Sequence, residues 1–285
     1  MHYIALQSLG DNLISLSLLK SLDKGKEINI LGTKHTKDIA KLIGVDSRFN
    51  IKAIFDDVPA FYDIKKQGIL KAIKDFYMFL KYVNSNAVDE MVFEKRDFRS
   101  ELVKFLTKSK VYCPDNSISN AYKKRRNLIA KVYKQNVTLN LYPLTIAERK
   151  QKTIIINPLT KVNLRNIKYN HLKHIINELD RKGHIIYLID LEKKYQLFKN
   201  KVRYYLSSTS LEEVKRLMKN CDLYIGGDSF LVHLAYYLKS NYFVVFYNDN
   251  YDFLPPNATE DFYIKAHRSI NFNKEISEKF TKIGV

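Results

Sequence analysis

A short segment in the second half of the chain combines residue types that suit the binding of an anion. An apolar run from Leu223 to Ile225 ends at Gly226-Gly227, and Asp228-Ser229 then precede an apolar segment that contains His233. Two glycines interrupt a strand, whereas aspartate and serine favour the start of a helix. Unpaired N–H groups at a helix start attract negative charge. The segment therefore predicts a strand, a glycine turn and a helix whose first residues can hold an anion.

A second apolar strand, from Tyr242 to Tyr247, follows that helix and completes a βαβ unit. In open parallel sheets, ligands lie at the carboxyl ends of the strands, which is where the pattern places Asp228. A simpler interpretation remains open, because Asp228 can serve only as a helix cap and His233 as a packed core histidine.

The chain begins with the same succession of elements. Tyr3 to Leu6 predicts a strand, Gln7 to Asp11 a turn that includes Gly10, and Asn12 to Leu22 a helix. Asp11 thus stands at a predicted helix start, where a carboxylate is kept ionised by the helix dipole. The local pattern on its own favours a simple N-cap at this position.

Strands and helices alternate along most of the chain, which predicts parallel sheets covered by helices. The longest predicted helix, Gly68 to Val83, is amphipathic. Weak periodicity, a proline and several charges between Asn136 and Lys152 indicate a link, after which the alternation restarts. We therefore predict an α/β protein with domains at residues 1–147 and 148–285. A final helix near Ile276 to Ile283 is expected to pack on the first domain.

The composition is that of a folded chain with anionic partners. Of the 285 residues 46% are hydrophobic, and the formal net charge is +18. Nucleic acid, acidic lipid head groups and phosphorylated small molecules would each balance that charge. The basic run Lys123 to Arg126 lies on a predicted helix, where we expect a solvated face rather than a binding site.

Several classes of site and segment are not expected. Cys113 and Cys221 match no zinc-ligand spacing, and no paired carboxylates suggest a metal site, so we predict no metal and a reducing cytoplasm. The first residues lack the regions of a signal peptide, and no apolar run of about 18 residues predicts a membrane span. Any contact with a membrane is therefore expected to be peripheral.

Two sequence motifs, one in each half, together indicate a known family. The first is Ser8-Leu9-Gly10-Asp11-Asn12-Leu13-Ile14, and the second is Gly227-Asp228-Ser229 through His233-Leu234-Ala235. They resemble the N-terminal and C-terminal motifs of glycosyltransferase family 9, the heptosyltransferase-like family. Weaker similarity is found in Asp97-Phe98-Arg99-Ser100 and in Pro158 to Leu172. The resemblance covers most of the chain in the family's order, with residues 56–92 aligned only by position.

This resemblance implies a GT-B fold, in which two Rossmann-like domains with parallel sheets face each other across a cleft. It implies that the C-terminal domain binds a nucleotide sugar, commonly ADP-heptose, and that the N-terminal domain binds the acceptor. The implied reaction is metal-independent transfer of the sugar, with inversion at the anomeric carbon, onto the inner core of lipopolysaccharide. No cofactor and no nucleic acid are expected. The partners would be the donor, a glycolipid or oligosaccharide acceptor and the anionic cytoplasmic face of the inner membrane.

The resemblance also assigns roles to individual residues. Asp11 is at the position of the base that takes the proton of the acceptor hydroxyl, and Asp228 is assigned to the catalytic site with it. The residues assigned to the donor and its phosphates are Thr160, Lys161, Arg165, Glu192, Ser229, Phe230, Leu231 and His233, with Gly10 and Gly227 in the two loops. Lys161 competes with Arg165 for the phosphate, and Asp190 competes with Glu192 for the nucleotide ribose.

Phe230 departs from the family pattern, which has glycine there. Because phenylalanine disfavours a positive φ, the identity of the donor is in doubt. Three alternatives therefore stay open: a GT-B transferase that uses another nucleotide sugar for O-antigen or capsule, a non-catalytic relative, and a basic protein that binds nucleic acid or other anions. No motif of a nucleic-acid-binding module supports the last of these.

Overall fold

The computed structural model describes residues 1–23, 25, 27–249 and 251–285. The chain forms two compact units, Met1–Leu139 and Asn140–Val285. The change of unit thus falls eight residues before the predicted boundary at 147. The segment that follows belongs to the second unit because the Tyr142 hydroxyl donates to the carbonyl of Ser240 at 3.0 Å and its ring stacks on Tyr236.

The first unit is built on a five-stranded, all-parallel sheet with the order β3-β2-β1-β4-β5. Its strands are β1 His2–Ala5, β2 Ile28–Thr33, β3 Phe49–Phe55, β4 Glu90–Phe93 and β5 Lys110–Tyr112. The predicted parallel sheet is therefore confirmed. Its helices are α1 Leu9–Leu19, α2 Lys34–Leu42, α3 Ile64–Gln67, α4 Ile69–Ser85, α5 Phe98–Leu106 and α6 Ala121–Tyr133.

Helix α1 begins three residues earlier than the predicted start at Asn12. Ser8 is the N-cap, and its hydroxyl oxygen accepts a hydrogen bond from the backbone N–H of Asp11 at 3.5 Å. A serine cap allows the helix to start there. Gly10 and Asp11 consequently lie inside the first turn, so the predicted turn up to Asp11 and the interpretation of Asp11 as an N-cap are both wrong.

The second unit contains a six-stranded, all-parallel sheet with the order β11-β10-β9-β6-β7-β8. Its strands are β6 Thr153–Asn157, β7 Ile185–Ile189, β8 Tyr204–Leu206, β9 Leu223–Gly227, β10 Tyr242–Phe246 and β11 Tyr263–Lys265. The helices are α7 Tyr169–Arg181, α8 Leu211–Asn220, α9 Phe230–Tyr237 and α10 Phe272–Lys282. The strand–glycine–helix–strand unit predicted around Asp228 is confirmed as β9, α9 and β10.

Helix α10 packs on the sheet of the second unit. Phe272, Ile276 and Phe280 belong to the second unit's hydrophobic core. The ring of Phe280 meets that of Phe243 on β10 edge to face, with centroids 5.3 Å apart. Apolar residues on one face of the helix are thereby buried against its own sheet.

Both sheets reverse their strand order at one point. In the first unit the reversal lies between β1 and β4, where Ile4 is paired with Phe93; in the second it lies between β6 and β9, where Asn157 is paired with Gly226. In open parallel sheets, ligands bind outside the carboxyl ends of the strands at such a reversal. The loops after these four strands are therefore where each unit is expected to hold its ligand. Among the described residues there is no helix that meets the length and hydropathy of a membrane span.

Candidate active site

The strand reversal of the first unit holds three buried charged side chains. Asp11 lies in the first turn of α1, Glu94 directly follows β4, and Arg125 extends from α6. The guanidinium of Arg125 donates a hydrogen bond to Oδ1 of Asp11 and lies 4.0 Å from Oε2 of Glu94. Only 2% of the Arg125 side chain is exposed. One cation thus serves two carboxylates away from water.

Asp11 is ionised at neutral pH. Burial opposes its charge, but the charges of Arg125 and Lys95 and hydrogen bonds from Ser8 and Arg125 outweigh burial and lower its pKa to about 2. The Ser8 hydroxyl donates to Oδ2 at 2.6 Å. About 10% of the Asp11 side chain remains exposed, so the carboxylate is held rigidly and still reaches the surface. A group of this kind can accept a proton from a bound hydroxyl.

Glu94 has the opposite electrostatic character. Burial raises its pKa to about 7, with the charge of Asp11 adding to the increase and that of Arg125 opposing it. Two carboxylates that share one cation are driven apart in pKa, since both cannot be ionised at low cost. The pair therefore consists of a permanently charged Asp11 and a Glu94 that titrates near neutrality.

Sequence reasoning missed both partners of Asp11. Arg125 belongs to the basic run that was expected to be solvated, and that expectation is wrong for this residue because its guanidinium is buried on α6. Glu94 could have been found by the rule that drew attention to Asp228, because it is a carboxylate at the carboxyl end of a strand beside the strand reversal. Arg125 could not be distinguished from the neighbouring basic residues of the run Lys123 to Arg126 by sequence alone.

The strand reversal of the second unit carries a second arginine–aspartate pair. Asp228 follows β9, and Arg165 lies in the loop after β6, with its guanidinium donating to Oδ2 of Asp228 at 2.9 Å. The carboxylate is 8% exposed, whereas 32% of the Arg165 side chain is exposed. The structure thus brings these two predicted residues together and leaves one side of the guanidinium open to solvent.

Gly227 is required by close packing between the two loops that carry this pair. A Cβ atom at Gly227 would lie 2.7 Å from the carbonyl oxygen of Arg165 and 2.9 Å from Cγ2 of Thr160. Such distances are too short for any side chain, and one of the contacts is to backbone. The glycine therefore fixes the loop after β6 against the turn after β9.

Thr160 uses its hydrogen-bond donors within the loop. Its backbone N–H donates to Oδ1 of Asn166, and its hydroxyl donates to the carbonyl of Val162, both at 2.7 Å. Thr160 thus shapes the loop that carries Arg165. Lys161, next in the chain, is exposed.

Helix α9 begins two residues after Asp228. Ser229 is the N-cap but makes no capping bond with its side chain. Its buried Oγ lies beside the Tyr224 hydroxyl, and neither atom makes a hydrogen bond of normal geometry. Phe230 and Leu231 are the first residues of the helix. The phenylalanine therefore has ordinary helical φ, so the concern that this site needs a positive φ is not supported by the structure.

The other residues predicted for the site of the second unit are His233, Asp190 and Glu192. His233 is buried in α9, with its ring edge to face with Phe253 at 6.5 Å. Asp190 is fully buried and accepts hydrogen bonds from the backbone N–H groups of Lys194 and Tyr195, and it thereby holds the turn that precedes a 3₁₀ helix at Gln196–Lys201. Glu192 is exposed and pairs with Lys194. Of the two acids, only Glu192 is accessible to a ligand.

In the described ranges, no three His, Cys, Asp or Glu side chains are grouped as metal ligands. The fold and the two pairs define the class of protein: a two-unit α/β protein of the GT-B type, with one Rossmann-like sheet in each unit and a charged site at each strand reversal. A sequence model described as glycosyltransferase family 9 (heptosyltransferase) matches residues 114–283, which include Arg125, Arg165 and Asp228. The chain belongs to this family and is a glycosyltransferase.

Solved structures show the same fold. The E. coli heptosyltransferase WaaC with ADP matches with a TM-score of 0.67 at 14% identity, covering 100% of this chain and 99% of that chain. A family 9 glycosyl transferase from Veillonella parvula gives 0.66 at 11% identity, covering 99% and 96%. The E. coli ADP-heptose lps heptosyltransferase II gives 0.59 at 14% identity, covering 99% and 97%. A search of curated proteins finds no match.

Proposed function

We propose that this glycosyltransferase moves a heptose from ADP-heptose to a lipopolysaccharide or related glycolipid acceptor, with inversion at the anomeric carbon and without a metal ion. Asp11 carries the proposal, because it is a buried carboxylate that is ionised at neutral pH and still reaches the surface at a strand reversal. The choice of heptose and of ADP is supported by two similar structures, which are a heptosyltransferase with ADP and an ADP-heptose lps heptosyltransferase.

The proposed reaction is a single displacement. The acceptor hydroxyl oxygen attacks the anomeric carbon, the bond from that carbon to the nucleoside diphosphate breaks, and the hydroxyl proton passes to Asp11. An alcohol becomes far more acidic as its oxygen bonds to the sugar carbon, so a carboxylate of low pKa is basic enough when proton transfer comes late. The diphosphate leaves with the bonding electrons.

The charge of the departing diphosphate would be stabilised in the second unit. Arg165 can offer paired N–H donors to phosphate oxygens, which is why a guanidinium suits this role. The first N–H groups of α9 supply neutral donors, and Lys161 supplies a second cation at the surface. Arg165 and Lys161 provide the positive charge for which other enzymes use a metal ion. Glu192 is the proposed contact for the ribose of the nucleotide.

The proposed acceptor is a glycolipid, so the protein would work at the cytoplasmic face of the inner membrane as a peripheral protein. The net charge of +18 supports this proposal, because basic residues are attracted to an anionic leaflet.

Replacing Asp11 tests the base. Asp11→Asn keeps the size of the side chain but removes the proton acceptor, so transfer should fall at least about a hundredfold. The thermal shift produced by ADP should persist, since Asp11 belongs to the other unit. Asp46→Asn, at an exposed aspartate of the first unit, is the matched control and should transfer normally. Normal turnover in Asp11→Asn would remove Asp11 from the base role.

A panel of nucleotides tests the donor. A ligand that binds the folded state raises the melting temperature by an amount that grows with the logarithm of its concentration divided by its Kd. ADP should stabilise the protein more than UDP, GDP or CMP, and transfer should survive EDTA. Preferential stabilisation by another nucleotide would support a transferase for O-antigen or capsule instead.

A further inference from the structure

Helix α4 presents an apolar stripe to solvent. Leu70, Ile73 and Tyr77 are 81%, 63% and 64% exposed. They are spaced by three and four residues, so their side chains lie one above another on one face of the helix. Ile69 is 66% exposed at the start of the same helix. Contiguous apolar side chains of this size on a surface usually mark a binding surface.

The stripe is separate from the face by which α4 packs on its sheet. Ala72, Phe79 and Val83 on the opposite face are buried in the first unit's core. Asp75 is also buried there, and its carboxylate accepts a hydrogen bond from the backbone N–H of Ala60 at 2.8 Å. The sequence predicted one apolar face for this helix, whereas the structure shows that a second apolar face remains after the core is complete.

Lysines surround the stripe. The segment from Ile64 to Ser85 contains five lysines, Lys65, Lys66, Lys71, Lys74 and Lys81, and all of them are exposed. Its single acidic residue is the buried Asp75. Lys74 and Lys81 each lie four residues beyond a member of the stripe, Leu70 and Tyr77, and therefore border it. The exposed surface of α3 and α4 is thus apolar and positively charged, with no exposed negative charge.

We propose that α3 and α4 dock this protein on an anionic lipid bilayer, with Leu70, Ile73 and Tyr77 inserted at the interface and the lysines against lipid phosphates. An amphipathic helix of this composition lies in the plane of the interface, where tyrosine is also favoured. The inference deepens the proposed function by naming the surface used, and it rests on that function only for the choice of a membrane as the partner.

Charge disfavours the other occupants of this surface. A second copy of the chain related by twofold symmetry would place the same lysines against one another, and like charges repel. Nucleic acid would pair with the lysines but would leave the apolar stripe exposed to water. A bilayer with acidic head groups satisfies both the apolar and the basic side chains.

The absence of tryptophan from the sequence gives a direct reporter. In Leu70→Trp the only tryptophan would lie in the stripe, and its emission should shift to the blue with vesicles of phosphatidylcholine and phosphatidylglycerol, but much less with phosphatidylcholine alone. Leu197→Trp, at a leucine that is 78% exposed in the second unit, is the matched reporter and should not shift. Equal shifts at the two positions, or none at Leu70→Trp, would overturn the proposal.

Flotation of the full chain with the same vesicles tests the two chemical components. Leu70→Ser with Ile73→Ser should lose vesicle binding, and Lys74→Glu with Lys81→Glu should weaken it by at least about fivefold for each lysine removed. Leu197→Ser and Lys199→Glu make the same chemical changes elsewhere and should bind as the wild type does. Unfolding curves for every variant exclude loss of folding as the cause.

Two results would contradict docking on lipid. One is flotation that is unchanged in the α4 variants, and the other is light scattering that shows a dimer of the wild type which Leu70→Ser with Ile73→Ser dissociates. The wild type also separates this inference from the proposed function. Vesicle binding without sugar transfer would refute the function alone, whereas transfer to a soluble acceptor without vesicle binding would refute the docking alone.

Discussion

The two units contain the same pair of side chains in different surroundings. In the first unit the Arg125 side chain is 2% exposed and its partner Asp11 10%; in the second unit Arg165 is 32% exposed and Asp228 8%. Both aspartates follow a central parallel strand, and both arginines come from another element of the same unit. The pairs differ chiefly in whether water reaches the guanidinium.

This difference separates a structural cation from a candidate ligand-binding one. A guanidinium that is 2% exposed and lies against two carboxylates is closed to anions from solvent, and its effect is to keep Asp11 ionised. A partly exposed guanidinium that donates to the carboxylate of Asp228 can turn its other donors toward a phosphate. The same residue types therefore give a buried, ionised carboxylate in one unit and a candidate phosphate site in the other.

The largest expected effect comes from removing the buried cation. Arg125→Met would leave Asp11 and Glu94 close together without a counter-charge, which should cost about 3–5 kcal/mol of the free energy of unfolding. Arg126→Met removes the next residue, whose guanidinium donates to the side-chain oxygen of the neighbouring Asn127, and should cost less than about 0.5 kcal/mol. Urea denaturation measures both. Similar losses in the two variants would contradict the distinction between buried and exposed cations.

The pH dependence of stability sharpens the comparison within the first unit. Because the pKa of Glu94 is raised from 4.5 to about 7 on folding, the folded state binds more protons than the unfolded state between these values. Stability from this group is present at low pH and is lost as the pH rises from about 4.5 to 7. Asp11 acts in the opposite direction, losing its contribution as the pH falls below about 4 toward its pKa of about 2.

Glu94→Gln isolates the first of these effects. The difference in unfolding free energy between wild type and Glu94→Gln should favour the wild type more at about pH 5 than at about pH 7.5, since the charged form of Glu94 is the disfavoured one. Denaturation across this range is the measurement. A difference that does not vary with pH would mean that Glu94 keeps an ordinary pKa.

The smallest effect on folding is expected at the Arg165–Asp228 pair, where a substitution should act selectively on ligand binding. Arg165→Met should weaken ADP binding about tenfold or more, which corresponds to the loss of a charge-assisted hydrogen bond. Its free energy of unfolding should change less than that of Arg125→Met. Titration calorimetry with ADP measures the affinity, and Lys161→Met tests the competing cation of the proposed site. A larger loss in Lys161→Met would assign the phosphate to the lysine instead.

The fold was largely predictable because the apolar pattern is local. The helix predicted from Gly68 to Val83 rests on the spacing of Leu70, Ile73, Phe76, Tyr77 and Leu80. The structure has this helix as α4, but the residues that it buries are Ala72, Asp75, Phe79 and Val83. The short strands β8 and β11 were not predicted, because they are three residues long and owe their conformation to pairing with β7 and β10. The start of α1 was misplaced because the capping role of Ser8 was not considered.

The candidate site was predictable only where a motif carried the information. Asp11, Arg165, Gly227 and Asp228 could be named from motifs, and the structure places the last three together. The partnership of Asp11 with Arg125 depends on a separation of 114 residues, which no local pattern encodes. Burial also decides whether a charged side chain is accessible to a ligand. Asp190 and Glu192 are two residues apart, yet Asp190 is buried and Glu192 is exposed.

That long separation sets an order of assembly during synthesis. Strand β1 forms the middle of its sheet, yet α6 leaves the ribosome after all five strands of the first unit. Until Arg125 emerges, a nascent chain that packs these strands must bury Asp11 and Glu94 without their cation, which is unfavourable. The first unit is therefore expected to close late in translation, and a chain halted before residue 125 would be a substrate for chaperones or proteases.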